Sequence, residues 1–271
     1  MLTLPSDHYS PSQSGMYRKC GEQYRLRYVE GLRMPPAGAM LTGTGVHDGA
    51  AARHIERMNH DTEMPRQDVI DVSVASFDDR LDDEGIELRG EEATIGKEIV
   101  VAEARDKTAI LAGGYSDLIA PQVPHPIAVE ERFELDVEAL GIKLVGIMDL
   151  AQDVEGLVAM EDLKTGKKKH GQADVDASDQ LTFYAMGWQA TRGKLPDSVA
   201  LRSLRELKAG PKQDLVTGVR TADHVLKLLR IITVTCQAIS AGVFIPAPPD
   251  AWWCSEKWCG YWNRCRYRGG K

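Results

Sequence analysis

G-I-K-L-V-G-I-M-D-L-A-Q-D-V-E-G-L-V-A-M-E-D-L-K-T-G, residues 141–166, is the stretch that decides how the rest of the chain is read. Two runs rich in β-branched and alternating residues, 141–151 and 157–164, flank the dipeptide Glu155-Gly156. Such runs joined by a short glycine turn predict a β-hairpin. With Glu155-Gly156 as the two-residue turn, counting outward sets Asp149 directly across from Asp162. Facing carboxylates on adjacent apolar strands repel each other and are costly to desolvate. A divalent cation removes that repulsion, so the pair reads as a metal site. The two-residue period of a strand puts Lys164 on the face of Asp162 and turns Leu163 into the core. A one-residue slip would dismantle this set.

Oxygen donors suit Mg²⁺ or Mn²⁺. Such an ion activates a phosphate and a water for hydrolysis. An ammonium beside it orients the water or stabilises developing negative charge. Asp149, Asp162 and Lys164 therefore point to phosphodiester cleavage.

The neighbouring segments give this hairpin a frame. Residues 127–137 and 198–207 read as further strands. Residues 175–191 read as a helix, with Asp176 or Ser178 as its cap. The order is helix, three strands, helix, strand, an α/β fold with an αβββαβ core. Upstream, Ser10-Pro11-Ser12 opens a helix carrying Met16, Tyr17, Cys20, Tyr24 and Tyr28. Gly43-Thr44-Gly45 leads into a second helix through His47, Ala51, His54 and Ile55. Helices are also predicted over about 66–83 and 91–104, which makes an inserted helical subdomain. Residues 221–241 form a long amphipathic helix. We expect one domain over 1–271: a helical part about 10–107, a sheet core about 108–210, and a C-terminal helix and tail about 220–271.

The residues M-D-L and E-D-L-K-T-G, at this spacing, resemble the PD-(D/E)XK nuclease superfamily, and within it the RecB-like exonuclease branch. The resemblance implies a restriction-endonuclease-like core, with Asp149, Asp162 and Lys164 as its acid, acid and lysine. G-T-G-V-H resembles the branch's upstream helix motif and puts His47 in the place of a metal ligand beside Asp149 and Asp162. D-Q-L-T-F-Y resembles the Q-x-x-x-Y motif that follows the lysine. Gln180 and Tyr184, four apart, share a helix face and would steady DNA beside the metal. Glu161 is one residue too close to Lys164 and is expected to face the other way.

The cysteines add a second theme. Cys20 stands near the N-terminus, whereas Cys254, Cys259 and Cys265 crowd near the other end. Four thiolates suit an iron–sulfur cluster or a structural zinc, and they close one site only if the two ends meet. One cysteine before the core and three after it resembles the iron–sulfur subgroup of the superfamily, which includes the AddB nuclease subunit and small CRISPR-associated exonucleases. That implies a [4Fe–4S] cluster, with zinc as the alternative. The four residues between Cys254 and Cys259 depart from the subgroup's commoner two. Cys236 lies in the apolar stripe of the long helix and reads as core. Trp252, Trp253, Trp258, Tyr261 and Trp262 would bury the cluster, with base stacking an alternative.

Bulk properties set limits. The chain has 271 residues, 43% hydrophobic, with a formal net charge of -7. Basic clusters at 18–33, 164–169 and 257–271 stand out against that acidic total and could track a phosphate backbone. No run reaches the roughly 18 apolar residues of a membrane span. No secretory leader is recognisable, so the cytoplasm is expected. No G-x-x-x-x-G-K-[ST] loop occurs, which argues against ATP. The expected function is a metal-dependent exonuclease on DNA, from single-stranded ends, in recombination, repair, or phage or CRISPR-related processing. Recombination or CRISPR-adaptation proteins would be its partners. The alternative is a non-catalytic DNA-binding or assembly protein that keeps the fold.

Overall fold

The structure is a computed structural model that describes residues 2–123 and 125–268. From the N-terminus, α1 (Pro11–Lys19) and α2 (Gly21–Tyr24) lead through a π-helical turn, Arg25–Val29, to a helical layer. That layer comprises α3 (Gly38–His60), α4 (Arg66–Glu84), the short α5 (Glu92–Ile95) and α6 (Lys97–Leu118). The sheet follows with β1 (Pro126–Val137), β2 (Ile142–Val154) and β3 (Leu157–Gly166). Helices α7 (Gln172–Asp176) and α8 (Asp179–Arg192) cross to β4 (Ser198–Leu207), and β5 (Gly210–Gly218) completes the sheet. A last helix, α9 (Ala222–Ser240), precedes the cysteine tail.

The five strands lie in the order β1-β2-β3-β4-β5. Strands β3 and β4 are parallel, as their helical crossover requires, and the other pairs are antiparallel. The hairpin register is the one its turn dictates, from Val154 opposite Leu157 to Leu150 opposite Glu161. Glu155 and Gly156 have φ of 56° and 85°. A two-residue turn whose twist matches the strands needs φ positive at both positions.

Two apolar cores sandwich the sheet. One gathers Phe133, Leu144, Met160 and Leu201 with Leu181 and Phe183 of α8 and Ile232 and Cys236 of α9. The other packs Leu163 and Leu204 against Val46 and Ala50 of α3 and Leu111 and Tyr115 of α6. Full burial of a leucine is worth roughly 1.5–3 kcal/mol, so alternate residues of β3 bind the strand to opposite layers.

Several expected boundaries move. The first helix breaks at Cys20, whose backbone is extended (φ -165°), so Cys20 sits at a joint between α1 and α2. The helix expected to end near 104 is interrupted at Gly96 (φ 103°) and then runs on to Leu118, past the expected edge of the helical part. The helix expected over 175–191 divides at Ala177-Ser178, and Ser178 caps α8 by accepting the Leu181 amide at 3.2 Å. Strand β5 was not expected. Among the described residues no helix is long and apolar enough to cross a membrane.

Candidate active site

The site forms where β2 and β3 part. Their ladder ends at Leu150 and Glu161. One step further, the Asp149 side chain takes over the backbone's role, its Oδ2 accepting the Leu163 amide at 3.1 Å. Its Oδ1 accepts from the Tyr184 hydroxyl at 2.9 Å. Asp162 is fully buried; its Oδ1 lies 3.5 Å from the same hydroxyl and its Oδ2 lies 2.6 Å from Lys164 Nζ. Lys164 Nζ also donates to Gln180 Oε1 at 2.9 Å, and Gln180 Nε2 donates to the Tyr184 hydroxyl at 2.7 Å. Lys164, Gln180, Tyr184 and Asp149 thus form one unbroken chain of hydrogen bonds linking the hairpin to the first turns of α8.

His47 comes from α3. Gly45 and Gly49 of that helix lie so close to α4 that a Cβ on either would overlap Ser73. Only glycine permits that approach, and it fixes the rotation of α3 so that His47 Nδ1 stands 3.4 Å from Asp149 Oδ2.

Glu130 is a residue that the sequence reading missed. Its neighbours Val129 and Glu131 pair with Leu150 and Met148, so Glu130 stands across β1–β2 from Asp149. Its φ of 46° is a conformation that non-glycine residues seldom adopt. One donor atom each from His47, Glu130 and Asp149 falls within 4.8 Å of the others, a group able to hold a metal ion. Asp162 borders this trio rather than joining it. The doubled glutamate at 130–131, which breaks the alternation of β1, was the only available signal.

The electrostatics fit a cation. Burial pushes the Asp162 carboxyl up to about 6; Asp149 adds to the rise, and Lys164 and His47 oppose it. Burial, then Asp149, Asp48 and Asp162, push Glu130 up to about 7. Burial first, then Asp149 and Asp162, hold the Tyr184 phenol well above its ordinary value, so it remains a donor. Carboxyls raised by one another mark a pocket short of positive charge. Asp162 Oδ2 is buried and lacks a hydrogen bond of good geometry, despite its closeness to Lys164.

Glu161 faces the opposite layer, as expected. Both its oxygens are taken by the buried guanidinium of Arg202, which also donates to Gln122 at 3.2 Å and Gln213 at 3.1 Å. Gln152 Nε2 adds a donor to Glu161 at 2.8 Å. Nearby, His54 Nε2 lies 2.5 Å from the Tyr115 hydroxyl, and burial lowers the His54 pKa to about 4.

The chain ends do meet. The Gly21 amide donates to Ile245 O at 2.7 Å, and the Ala247 amide to Cys20 Sγ at 3.3 Å. Cys20, Cys254, Cys259 and Cys265 line one cavity of about 530 Å³, walled in part by Trp253 and Trp262. All four thiols are free. Cys259 Sγ accepts from Gln23 Nε2 at 3.1 Å, and Cys265 Sγ from the Tyr267 amide at 3.4 Å. Burial raises the Cys254 thiol, and the charges of the other three cysteines raise it further. Cys236 is buried in α9, and burial pushes its thiol up to about 12.

A five-stranded mixed sheet with an acid–acid–lysine hairpin, clasped by a Q-x-x-x-Y helix, defines a class. Residues 8–266 match the PD-(D/E)XK nuclease superfamily, and the chain belongs to it. Its members are hydrolytic nucleases that generally use divalent metal ions. Among solved structures, a "Putative exonuclease" from Eubacterium rectale shares the fold, at a TM-score of 0.53 and 14% identity over 90% of this chain and 85% of that one. A second, SSO0001, aligns at a TM-score of 0.39 and 12% identity over 82% of this chain and 84% of that one, too distant to bear on the fold. No curated protein sequence matches the chain.

Proposed function

We propose that this chain is a Mg²⁺- or Mn²⁺-dependent DNA exonuclease that hydrolyses phosphodiester bonds from single-stranded ends. The observation that carries the reading is the hydrogen-bonded set Asp149, Asp162, Lys164, Gln180 and Tyr184 on the hairpin and α8. The Eubacterium rectale protein's description as an exonuclease supports it. His47, Asp149 and Asp162 would hold the metal, with Glu130 as a further ligand. When bound, the ion supplies Lewis-acid activation of the phosphate and of water. Lys164 holds the attacking water and stabilises charge on the phosphate as it is attacked. Gln180 fixes the Lys164 ammonium, and Tyr184, kept protonated, donates to Asp149 and orients that carboxylate. Asp162 is fully buried and Lys164 mostly so. The scissile phosphate must therefore enter a recess, which suits an unpaired strand better than a rigid duplex.

Cys20, Cys254, Cys259 and Cys265 would hold a [4Fe–4S] cluster. Amide donors to the sulfurs are a usual feature of such sites, and three of these thiols have N–H donors. Tetrahedral zinc at about 2.3 Å from each sulfur needs sulfurs only about 3.8 Å apart. Among the described residues, no three of these sulfurs lie within 4.8 Å of one another. The wide cavity favours the larger group, whose role is to pin the chain ends. The helical layer, sheet, α9 and tail act as one nuclease domain in the cytoplasm. It serves recombination, repair, or phage or CRISPR-related DNA processing.

The test is anaerobic purification followed by incubation with end-labelled single-stranded and double-stranded DNA and Mn²⁺. Stepwise loss of the labelled single strand, abolished by chelation and in Asp162→Ala, is the expected result. Absence of cleavage by folded, metal-replete protein overturns the reading in favour of a DNA-binding or assembly protein.

A further inference from the structure

The tryptophans of the tail divide into two sets. Trp253 and Trp262 wall the cysteine cavity. Trp252 and Trp258 do not, and they are 66% and 51% exposed. They meet edge to face, with ring centroids 5.4 Å apart, and Trp252 meets Trp253 in the same way at 5.7 Å. Lys257 Nζ lies 5.6 Å from the Trp258 ring centroid. Residues 252–268 carry Lys257, Arg264, Arg266 and Arg268 against one carboxylate, Glu256, in a chain of net charge -7. Two exposed indoles, one with a lysine over its face, cost solvation and contribute nothing to the core, so neither packing nor cluster burial accounts for them.

Contacts connect this patch to the catalytic recess. Lys164 reaches Gln180 in the first turn of α8. The preceding residue, Asp179, is paired with Arg18 at the end of α1. A cleft of about 280 Å³ opens there, between Pro11, Ser12 and Gly15 of α1 and the start of α8. Next to Arg18, Lys19 Nζ lies 6.0 Å from the centroid of Trp253. From Trp253 the aromatic row continues to Trp252 and Trp258. Arg18 and Lys19 thus lie between the first turn of α8, which Lys164 contacts, and the row Trp253, Trp252 and Trp258.

We propose that Trp252 and Trp258 form a stacking platform for unpaired bases of a single DNA strand. Arg18 and Lys19 guide its backbone between the platform and the catalytic recess. Aromatic faces in a basic track hold single strands without regard to sequence, because every base offers a π-face. A duplex hides those faces in its own stack. The platform rests on the nuclease reading for its substrate class, but its test does not depend on turnover.

The test compares wild type, Trp252→Ala/Trp258→Ala and Lys19→Ala, all as full chains with their melting temperatures checked. Binding of a labelled oligothymidylate of about 20 nucleotides, longer than typical single-strand site sizes, is followed by anisotropy with Ca²⁺ in place of Mn²⁺. A duplex of equal length is measured in parallel. Hydrolysis of bis-p-nitrophenyl phosphate with Mn²⁺ reports on the recess alone, since that ester is too short to reach the tail. The double variant should bind the single strand about tenfold more weakly or worse, Lys19→Ala more mildly, with the small ester's hydrolysis unchanged. Single-strand affinity within twofold of wild type in the double variant overturns the platform, as does an equal loss on duplex. Tryptophan-dependent binding with no hydrolysis of the small ester, nor of the oligothymidylate when Mn²⁺ replaces Ca²⁺, leaves the platform standing and defeats the nuclease reading.

Discussion

The candidate catalytic recess and the cysteine cavity are built in contrasting ways. In the recess every functional side chain projects from a sheet or a long helix. The Asp149, Gln180 and Tyr184 polar groups are satisfied by each other before any ligand arrives. The tail holds its thiols on turns, with a single short 3₁₀ turn, Trp262–Arg264, as regular structure among the described residues. A small apolar cluster around Leu26, Cys259 and Tyr261 packs it onto the body, and Tyr261 Oη donates to Leu32 O and Arg89 Nη1 to Trp258 O, each at 3.0 Å. The recess is preorganised, so its substitutions should cost rate and leave folding intact. The tail lacks a core of its own, so its substitutions should cost stability first.

The largest effect is expected in the recess. Asp162→Ala or Lys164→Ala should lower the cleavage rate by at least about 10³-fold, with the melting temperature held within a few degrees. A large thermal loss in Lys164→Ala, whose side chain is a third exposed, would break the contrast. Next comes the tail. Cys259→Ser should bleach the visible absorbance of the anaerobic protein. It should also cost about 3 kcal/mol, or about 6–12 °C in Tm, because a group held only in the folded state contributes its binding energy to folding. A Cys259→Ser variant with unchanged stability would show that the tail holds itself together. Tyr184→Phe sharpens the comparison inside the recess. It keeps the ring but removes the donor to Asp149, and a hydrogen bond to a charged group is worth about 10- to 100-fold. That loss should appear in kcat rather than in Tm.

The smallest effect is a pH dependence behind the recess. Burial lowers the His54 pKa to about 4, below its ordinary value near 6.5. The folded state therefore binds fewer protons than the unfolded chain between those values. Its contribution is fully present above about 6.5 and is lost as pH falls toward 4, by at most about 3 kcal/mol. By chemical denaturation, the stability advantage of wild type over His54→Gln should shrink by part of this amount from pH 7 to pH 5. The opposing gains at Glu130 and Asp162 are common to both.

The difference between the two regions also explains what could be read in advance. The register of β2 on β3 was legible because Glu155-Gly156 is a local device, and two apolar runs of known period extend it to Asp149 and Asp162. Gln180 and Tyr184 were legible through their resemblance to the Q-x-x-x-Y motif after the lysine; the shared helix face alone would not have singled them out. Glu130 was hidden, since a left-handed residue inside a strand leaves almost no mark in composition. Strand β5 was hidden because P-K-Q-D (Pro211–Asp214) at a sheet edge lacks the apolar alternation of an inner strand. The break at Cys20 was hidden because the contact that fixes it, Gly21 to Ile245, spans nearly the whole chain. Glu161 could be turned away from the recess by parity alone. Its partner Arg202 is 41 residues distant and could not be named.

That partner has a consequence for how the strand finds its place. Glu161 and Asp162 are adjacent acids of nearly equal chemistry, so a slip of β3 by one residue would present a plausible counterfeit of the recess. Arg202 makes the counterfeit fail. In the slipped strand Met160 would face the buried guanidinium and leave it unpaired, and Lys164 would take the place of Thr165 beside α3. An uncompensated buried charge costs several kcal/mol, more than the slip could recover. The ion pair on the back of the sheet thus works as a proofreader: a frame that carries the wrong acid into the recess brings no acid to Arg202 and is rejected.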